Sequence, residues 1–175
     1  MKKRKRDRRQ TLSGFTLVEI IVVVVILAIV SLAAIPVLGT AADMQVRSAA
    51  DKIAADLDYA KGLAVTRQKT YTVVFSPSQE KYQVQDDTGA VLNHPLRNGP
   101  FVEEFTKDRR MKKVDLVSTT LSGDAVTFDY LGTPYAGTDT SSPLNAAGRV
   151  TLQADSFVLY IDIEPVTGYV SITKP

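Results

Sequence analysis

The feature that most constrains this sequence is an apolar run with no charged residue between Glu19 and Asp43. Its first part, Ile20–Val30, contains only Ile, Val, Leu and Ala. A helix of about 20 apolar residues is long enough to cross the hydrocarbon core of a bilayer, and it satisfies its own backbone groups there. We therefore predict a transmembrane helical segment over residues 15–38, with one acid, Glu19, at its entrance.

The segment in front of this run is strongly basic. Residues 1–14 contain seven Lys or Arg and a single acid. Basic residues next to an apolar span stay in the cytoplasm, so we predict a single-pass membrane protein. Its N-terminus would be cytoplasmic and its C-terminal domain periplasmic or otherwise extracytoplasmic. A secretory signal peptide cleaved near Ser31–Ala34 is the alternative, but Gly14 and Glu19 stand before the apolar run, which argues against it.

The order of these features resembles a known N-terminal signal. A basic leader, the string Gly-Phe-Thr-Leu-Val-Glu at residues 14–19 and an apolar helix are similar to type IV pilins and type II secretion pseudopilins. The resemblance implies that a prepilin peptidase removes the leader 1–14 by cutting after Gly14 and methylates the new amino group of Phe15. It also implies assembly into a filament with other pilins or pseudopilins, and a helix kink at Pro36.

Glu19 allows two interpretations. A carboxylate in the first turn of a helix is favoured by the helix dipole and needs no partner. Deeper in lipid, however, an acid costs about 2.5–3.5 kcal/mol on insertion scales. Cleavage after Gly14 would supply a positive partner, the amine of Phe15 on a neighbouring subunit. We favour this second interpretation, in which Glu19 is an assembly residue.

Beyond the apolar run the helical pattern continues with a different character. Charged residues such as Lys52 and Asp56 fall between the apolar positions and are expected to face solvent. Pro36 should bend the helix, because it lacks an N–H and clashes with the preceding turn. We predict one kinked helix whose amphipathic half covers residues 39–68. The predicted buried stripe comprises Val46, Ala49, Ala50, Ile53, Leu57, Ala60 and Ala64.

After Arg67 the hydrophobic period changes from 3.6 to 2, which is typical of strands. Short turns between them favour antiparallel pairing, so residues 69–175 should form an exported β-rich domain packed on the amphipathic helix, a pilin-like α+β fold. Residues 132–148, rich in Gly, Pro, Ser and Thr, are predicted to be an exposed loop. The predicted strands lie near residues 70–75, 81–85, 90–92, 101–102, 114–117, 125–130, 149–152, 157–163 and 169–172.

The C-terminal pattern narrows the resemblance. Phe128–Gly132, Gly148–Leu152 and Thr167–Val170 are similar to the GspH/FimT branch of minor pseudopilins and minor pilins. This implies a minor pseudopilin, a structural subunit of a type II secretion pseudopilus that takes part in protein export. The alternative is a minor type IV pilin acting in pilus assembly, adhesion or DNA uptake. DNA-binding members carry Gly-Arg-x-Arg, whereas residues 168–171 read Gly-Tyr-Val-Ser, which argues against nucleic acid as a partner.

The sequence offers little for catalysis. It has no cysteine and a single histidine, His94, so a thiol nucleophile and a Ser–His pair with its orienting acid are not predicted. We expect no enzyme activity, no cofactor and no metal; Asp139, in a polar loop, is a weak candidate for calcium. The pair Glu103-Glu104 and the basic cluster 107–113 are expected to be solvated surface.

The net charge changes when the leader is removed. The whole sequence has 21 basic and 19 acidic residues, of which the leader holds seven basic residues and one acid. The mature chain would keep 14 basic and 18 acidic residues, so it is acidic.

Overall fold

The computed structural model describes residues 15–34 and 41–175. The chain divides into two compact units, one within residues 1–38 and the other within residues 39–175. The leader, its terminal Gly14 and the predicted kink at Pro36 lie outside the described residues.

The described part of the first unit is a single helix, α1 (Leu17–Ala34). Thr16 precedes it as an N-cap: its Oγ1 accepts the N–H of Glu19 at 3.2 Å, and its carbonyl accepts the N–H of Ile20 at 3.2 Å. Every side chain from Phe15 to Ser31 is exposed. No helix in the part of the chain that the structure describes is long and apolar enough to cross a membrane.

The second unit begins with α2 (Ala41–Arg67), a helix of 27 residues. One face of it is fully buried, and this face is the predicted stripe with Ala42 added. Arg47 and Asp43 pair one turn apart at 2.9 Å on the outer surface. Five of the eight buried residues of this face are alanine, so the helix backbone can approach the sheets closely.

The described residues form nine strands in two sheets, and every pairing is antiparallel. The first sheet has the order β3-β2-β1-β5-β6, and the second has the order β4-β7-β8-β9. The strands are β1 (Tyr71–Ser76), β2 (Lys81–Gln85), β3 (Val102–Glu104), β4 (Asp115–Thr119), β5 (Ala125–Phe128), β6 (Pro134–Ala136), β7 (Gly148–Ala154), β8 (Phe157–Ile163) and β9 (Val170–Thr173).

The core lies where α2 meets both sheets. The helix packs on β7, β8 and β9 of the second sheet and on β1 and β5 of the first. Its stripe residues Ile53 and Leu57 are completely buried. The largest other buried side chains are Tyr71, Tyr82, Phe101, Phe105, Met111, Leu116, Phe128, Leu152, Ile161 and Ile163. The predicted α+β class, with a helix packed on antiparallel strands, is confirmed.

Two parts of the strand prediction were wrong. The predicted exposed loop 132–148 contains β6, which extends the first sheet beyond β5. Pro134 is tolerated there because β6 is an edge strand, where a missing N–H is harmless. The predicted strand 90–92 does not form a strand: Val91 makes an isolated bridge with Gln85, and the backbone of Leu92 bonds to Val84 and Phe101.

Strand β5 ends two residues earlier than predicted because of Asp129. This buried carboxylate accepts the N–H of Leu131 at 2.9 Å and the N–H of Thr133 at 2.8 Å. The two bonds fold the chain into a turn directly after Phe128.

We predict that Ile53→Asp destabilises the second unit by about 3–5 kcal/mol, because it buries an unpaired charge against both sheets. Ala55→Asp, two positions along on the exposed face of α2, is the matched control and should cost about 1 kcal/mol or less. Thermal unfolding of the detergent-solubilised protein, followed by circular dichroism, measures both. Equal losses would contradict the assigned face.

Candidate functional site

The predicted site residues that the structure describes lie at the start of α1. Phe15 is 77% exposed. Glu19 is exposed in the first turn of the helix, and no basic side chain of the described residues pairs with it. The carboxylate is therefore accessible to a group from outside this part of the chain.

A second group of functional side chains forms a charge cluster around Glu103 in β3. This carboxylate is only 3% exposed. Lys52 Nζ of α2 lies 3.3 Å from Glu103 Oε1, and His94 Nε2 lies 3.2 Å from the same oxygen. Arg97 also pairs with it and donates a bond of 3.0 Å to the carbonyl of Val102. Three donors thus compensate one buried charge, which ties α2 and the loop 93–100 to β3.

Asp56 extends this cluster along α2. The hydroxyl of buried Tyr82 donates to Asp56 Oδ2 at 2.5 Å, and Lys52 Nζ lies 3.4 Å from the same oxygen. Burial raises the pKa of Tyr82 well above its ordinary value, and the neighbouring Asp56 charge raises it further. The hydroxyl therefore stays protonated and remains a donor, so the helix is fixed to the first sheet by a neutral-to-charged hydrogen bond.

This cluster was not predicted from the sequence. Glu103 was expected on the surface, and Lys52 and Asp56 on the solvent side of α2; these expectations were wrong. The helical period identifies the buried stripe correctly but cannot show that a strand edge meets the border of that stripe. The weak signal was the i,i+4 spacing of Lys52 and Asp56, next to the buried Ile53 and Leu57.

His94 has a structural position. Its ring packs against Phe101 with 4.5 Å between the ring centroids. Nδ1 accepts the N–H of Leu96 at 3.1 Å, while Nε2 faces Glu103. Both ring nitrogens are therefore engaged, and neither is placed to act as a base on a bound substrate.

An open cleft of about 630 Å³ lies beside the charge cluster. Seven of its nine lining residues are charged, whereas small-molecule sites are lined mainly by hydrophobic and aromatic residues. The charged lining residues are Arg97, Glu103, Glu104, Lys107, Asp108, Arg109 and Arg110. No group of three His, Asp or Glu side chains within the described ranges is placed to hold a metal ion.

Asp139 has a local role in the polar loop. Its Oδ1 accepts the N–H of Ser141 at 2.9 Å and the hydroxyl of Ser141 at 2.5 Å. These two hydrogen bonds lower the pKa of Asp139 below its usual range, so the carboxylate is ionised near neutral pH. The contacts form an ordinary turn.

Two of the three sequence segments that carried the narrower resemblance, Phe128–Gly132 and Thr167–Val170, meet near the C-terminal end of α2. Lys61 Nζ donates to the carbonyl of Gly168 at 2.9 Å. A Cβ on Gly168 would lie 2.8 Å from the carbonyl oxygen of Gly132 and 3.1 Å from the Phe128 ring. Gly168 also has φ of +57°. Glycine is therefore required there, both by close packing and by backbone conformation.

An apolar patch is exposed at this same end. Val166, a β-branched residue, has φ of +66°, which is a rare and strained conformation. It lies in the turn that joins β8 to β9, next to the β5–β6 turn. The exposed side chains of the patch are Tyr130, Leu131, Val166 and Tyr169, which are between 56% and 74% exposed. Patches of this kind mark interaction surfaces.

Two family models match the chain. The model described as "Type II transport protein GspH" matches residues 49–165, which is more than half of the sequence. The model described as "Prokaryotic N-terminal methylation motif" matches residues 12–35. No curated protein matches the chain significantly.

Two solved structures are similar to this chain. The minor pseudopilin EpsH from the type 2 secretion system of Vibrio cholerae is 10% identical, with a TM-score of 0.54 over 75% of this chain and 98% of that chain. The type IV minor pilin FimU of Pseudomonas aeruginosa is 16% identical, with a TM-score of 0.48 over 73% of this chain and 91% of that chain. The EpsH similarity shows the fold.

We predict that Lys52→Met destabilises the protein by about 1–3 kcal/mol, because it removes one donor from buried Glu103 and one from Asp56. Lys107→Met is the matched control. Lys107 pairs with Glu104 at 2.8 Å, but its side chain is 76% exposed, so its loss should cost about 1 kcal/mol or less. Urea unfolding of the two variants in detergent measures the difference. Indistinguishable midpoints would mean that the cluster contributes nothing to stability.

Proposed function

We propose that this chain, which belongs to the GspH family of type II transport proteins, is a minor pseudopilin that is built into the pseudopilus as a membrane-anchored structural subunit. The observation that carries this proposal is the GspH match over residues 49–165, which spans most of the second unit. The fold shared with EpsH supports it. In this role the subunit takes part in protein export.

Processing at the N-terminus is the first step of the proposed function. The methylation-motif match at residues 12–35 includes the predicted cut after Gly14 and the amine of Phe15. Phe15 stands just before α1, which begins at Leu17. A prepilin peptidase would therefore release an N-terminus next to the first helical turn, with the methylated amine at the tip of the helix.

Anchoring in the inner membrane follows from the character of the first unit. The sequence carries no charge between Glu19 and Asp43, and the described side chains of α1 are exposed. The basic leader 1–14 favours a cytoplasmic N-terminus, so residues 39–175 would lie in the periplasm. In this scheme residues 15–38 form the anchor, residues 39–68 the helical support and residues 69–175 the exported β-rich domain.

Glu19 is the proposed assembly residue. It is the only acid in α1, it is exposed, and it has no basic partner among the described residues. A carboxylate in an apolar bundle needs a positive partner to offset the cost of leaving water. Cleavage supplies one on every processed subunit, the Phe15 amine. Docking of this amine on the Glu19 of a neighbour would fix the register of adjacent helices.

A structural role is favoured over an enzymatic one. His94, the only histidine of the sequence, has both ring nitrogens engaged by Glu103 and Leu96. The GspH family assignment points in the same direction. Nucleic acid is not a proposed partner, since the turn at residues 168–171 carries no basic side chain.

We predict that the mature protein begins at N-methylated Phe15. Intact-mass measurement of the protein extracted from membranes of a host that has a prepilin peptidase decides this. The expected mass is that of residues 15–175 plus one methyl group. A protein that retains its leader, or one cut near Ala34 as a signal peptide would be, would contradict the proposed processing.

We predict that Glu19→Gln leaves processing and membrane insertion intact but strongly reduces incorporation into the filament. Glutamine keeps the size and polarity of the side chain and removes only its charge. Removing an acid from an apolar segment makes insertion easier, so a loss of insertion is not expected. Crosslinking to partner subunits and export of folded substrates are the two measurements.

Ser31→Ala is a control in the same helix. It removes the bond of 2.7 Å from the Ser31 hydroxyl to the carbonyl of Leu27 and leaves the charge of α1 unchanged. It should behave as the wild type in both assays. Wild-type crosslinking and export in the Glu19→Gln variant would show that this carboxylate only stabilises the end of a helix.

A further inference from the structure

The basic turn, Lys107–Lys113, is the most strongly charged segment outside the leader. It contains five Lys or Arg and one acid, Asp108. The remainder of the mature chain has nine basic and 17 acidic residues. An acidic protein thus carries one concentrated basic surface, which fits an anionic partner.

The basic turn is held firmly on the second unit. Met111 and Val114, within and directly after it, are 1% and 2% exposed and anchor the segment in the core. The N–H of Met111 donates to the carbonyl of Asp108 at 3.0 Å, and the N–H of Arg110 donates to Asp108 Oδ1 at 2.9 Å. The anchored backbone presents all five basic side chains to solvent.

Most of this positive charge is not neutralised locally. Lys107 pairs with Glu104 at 2.8 Å, and Arg110 lies 3.6 Å from Asp108. The other three basic residues have no ion pair with any of the described residues; they are Arg109, Lys112 and Lys113. They are exposed, so they are available to an external anion.

The position of the basic turn suggests which anion it meets. The N–H of Lys113 donates to Gln45 Oε1 at 3.0 Å. Gln45 lies in the first turns of α2, about 6 Å along the helix axis from Ala41 at a rise of 1.5 Å per residue. The C-terminal residue of the basic turn, Lys113, therefore lies near the N-terminal end of α2, which follows the apolar segment in the sequence.

We propose that the basic turn binds the anionic headgroups of the membrane in which the subunit is anchored. The inference rests on the proposed anchoring by residues 15–38. The basic turn lies near the point where the domain is tethered to the membrane. Each basic residue close to an anionic lipid surface contributes about 1 kcal/mol, which raises the ratio of bound to free domain about fivefold. The contact would orient the domain on the membrane before the subunit enters a filament.

Other anions fit this surface less well. Nucleic-acid surfaces combine basic residues with aromatic side chains for stacking, and the segment 107–113 contains no aromatic residue. A protein partner needs no particular distance from the anchor. A headgroup surface requires a basic face near the tether, which is where Lys113 contacts Gln45.

The test uses the mature full-length chain in vesicles. Because the sequence has no cysteine, a single cysteine can carry a fluorescent donor, either at Thr106 beside the basic turn or at Thr167 near the C-terminal end of α2. Acceptors are placed on headgroups in vesicles of phosphatidylcholine, with or without phosphatidylglycerol. Both Thr106 and Thr167 are exposed, so the labels should not disturb the core.

We predict that phosphatidylglycerol increases energy transfer from Thr106 much more than from Thr167, and that high salt abolishes the increase. Arg109→Gln combined with Lys112→Gln should lower the ratio of bound to free domain about 25-fold, which is about fivefold for each charge removed. The matched control is Arg67→Gln combined with Lys69→Gln. It removes two charges near the other end of α2 and should leave energy transfer unchanged.

Three results would overturn the proposal. In the first, the chain inserts but energy transfer is the same with and without phosphatidylglycerol; this refutes the lipid contact and leaves the proposed anchoring intact. In the second, the substitutions at Arg109 and Lys112 change energy transfer only when a second pseudopilin is reconstituted in the same vesicles; this would assign the basic turn to a protein partner. Failure of the chain to insert in either vesicle would refute the anchoring itself, and the lipid contact with it.

Discussion

The contact between one face of α2 and both β-sheets is the interaction on which the rest of the domain depends. The two sheets have no strand in common, and the helix packs on each of them. Ile53 and Leu57 fill the interface, while the alanines of the same face allow the backbones to approach. The charge cluster at Glu103 stands at the border of this interface and fixes the helix to the edge of the first sheet.

Features that depend on local periodicity could be predicted from the sequence. The stripe on α2 repeats every three to four residues, and all of its predicted members are buried. Strand β7 alternates fully between buried and partly exposed positions, as period-two sequences do. The roles of Gly14, Phe15, Glu19 and Pro36 rest on a local motif as well and stay predictions; of these residues only Phe15 and Glu19 lie within the described ranges.

Features that depend on long-range pairing could not be predicted. The division of the strands into two sheets is decided by which edges meet after folding, and each strand looks similar in sequence. Lys52 and Glu103 are far apart in the chain. The residues that flank each of them in sequence give no sign that their charged atoms lie 3.3 Å apart in the fold. Strand β6 contains a proline and only three residues, and it is recognisable only through its pairing with β5.

The two units differ in chemistry: α1 is apolar and carries one acid, whereas the second unit packs its strands on α2. We propose that the first unit anchors the subunit and docks it on its neighbours. A photoreactive amino acid at Val24, which is 58% exposed on α1, tests the central claim most directly. In cells with an active type II secretion system, the account predicts crosslinks to other processed, prepilin-type subunits. Crosslinks to lipid alone, while secretion proceeds, would contradict a role as a filament subunit.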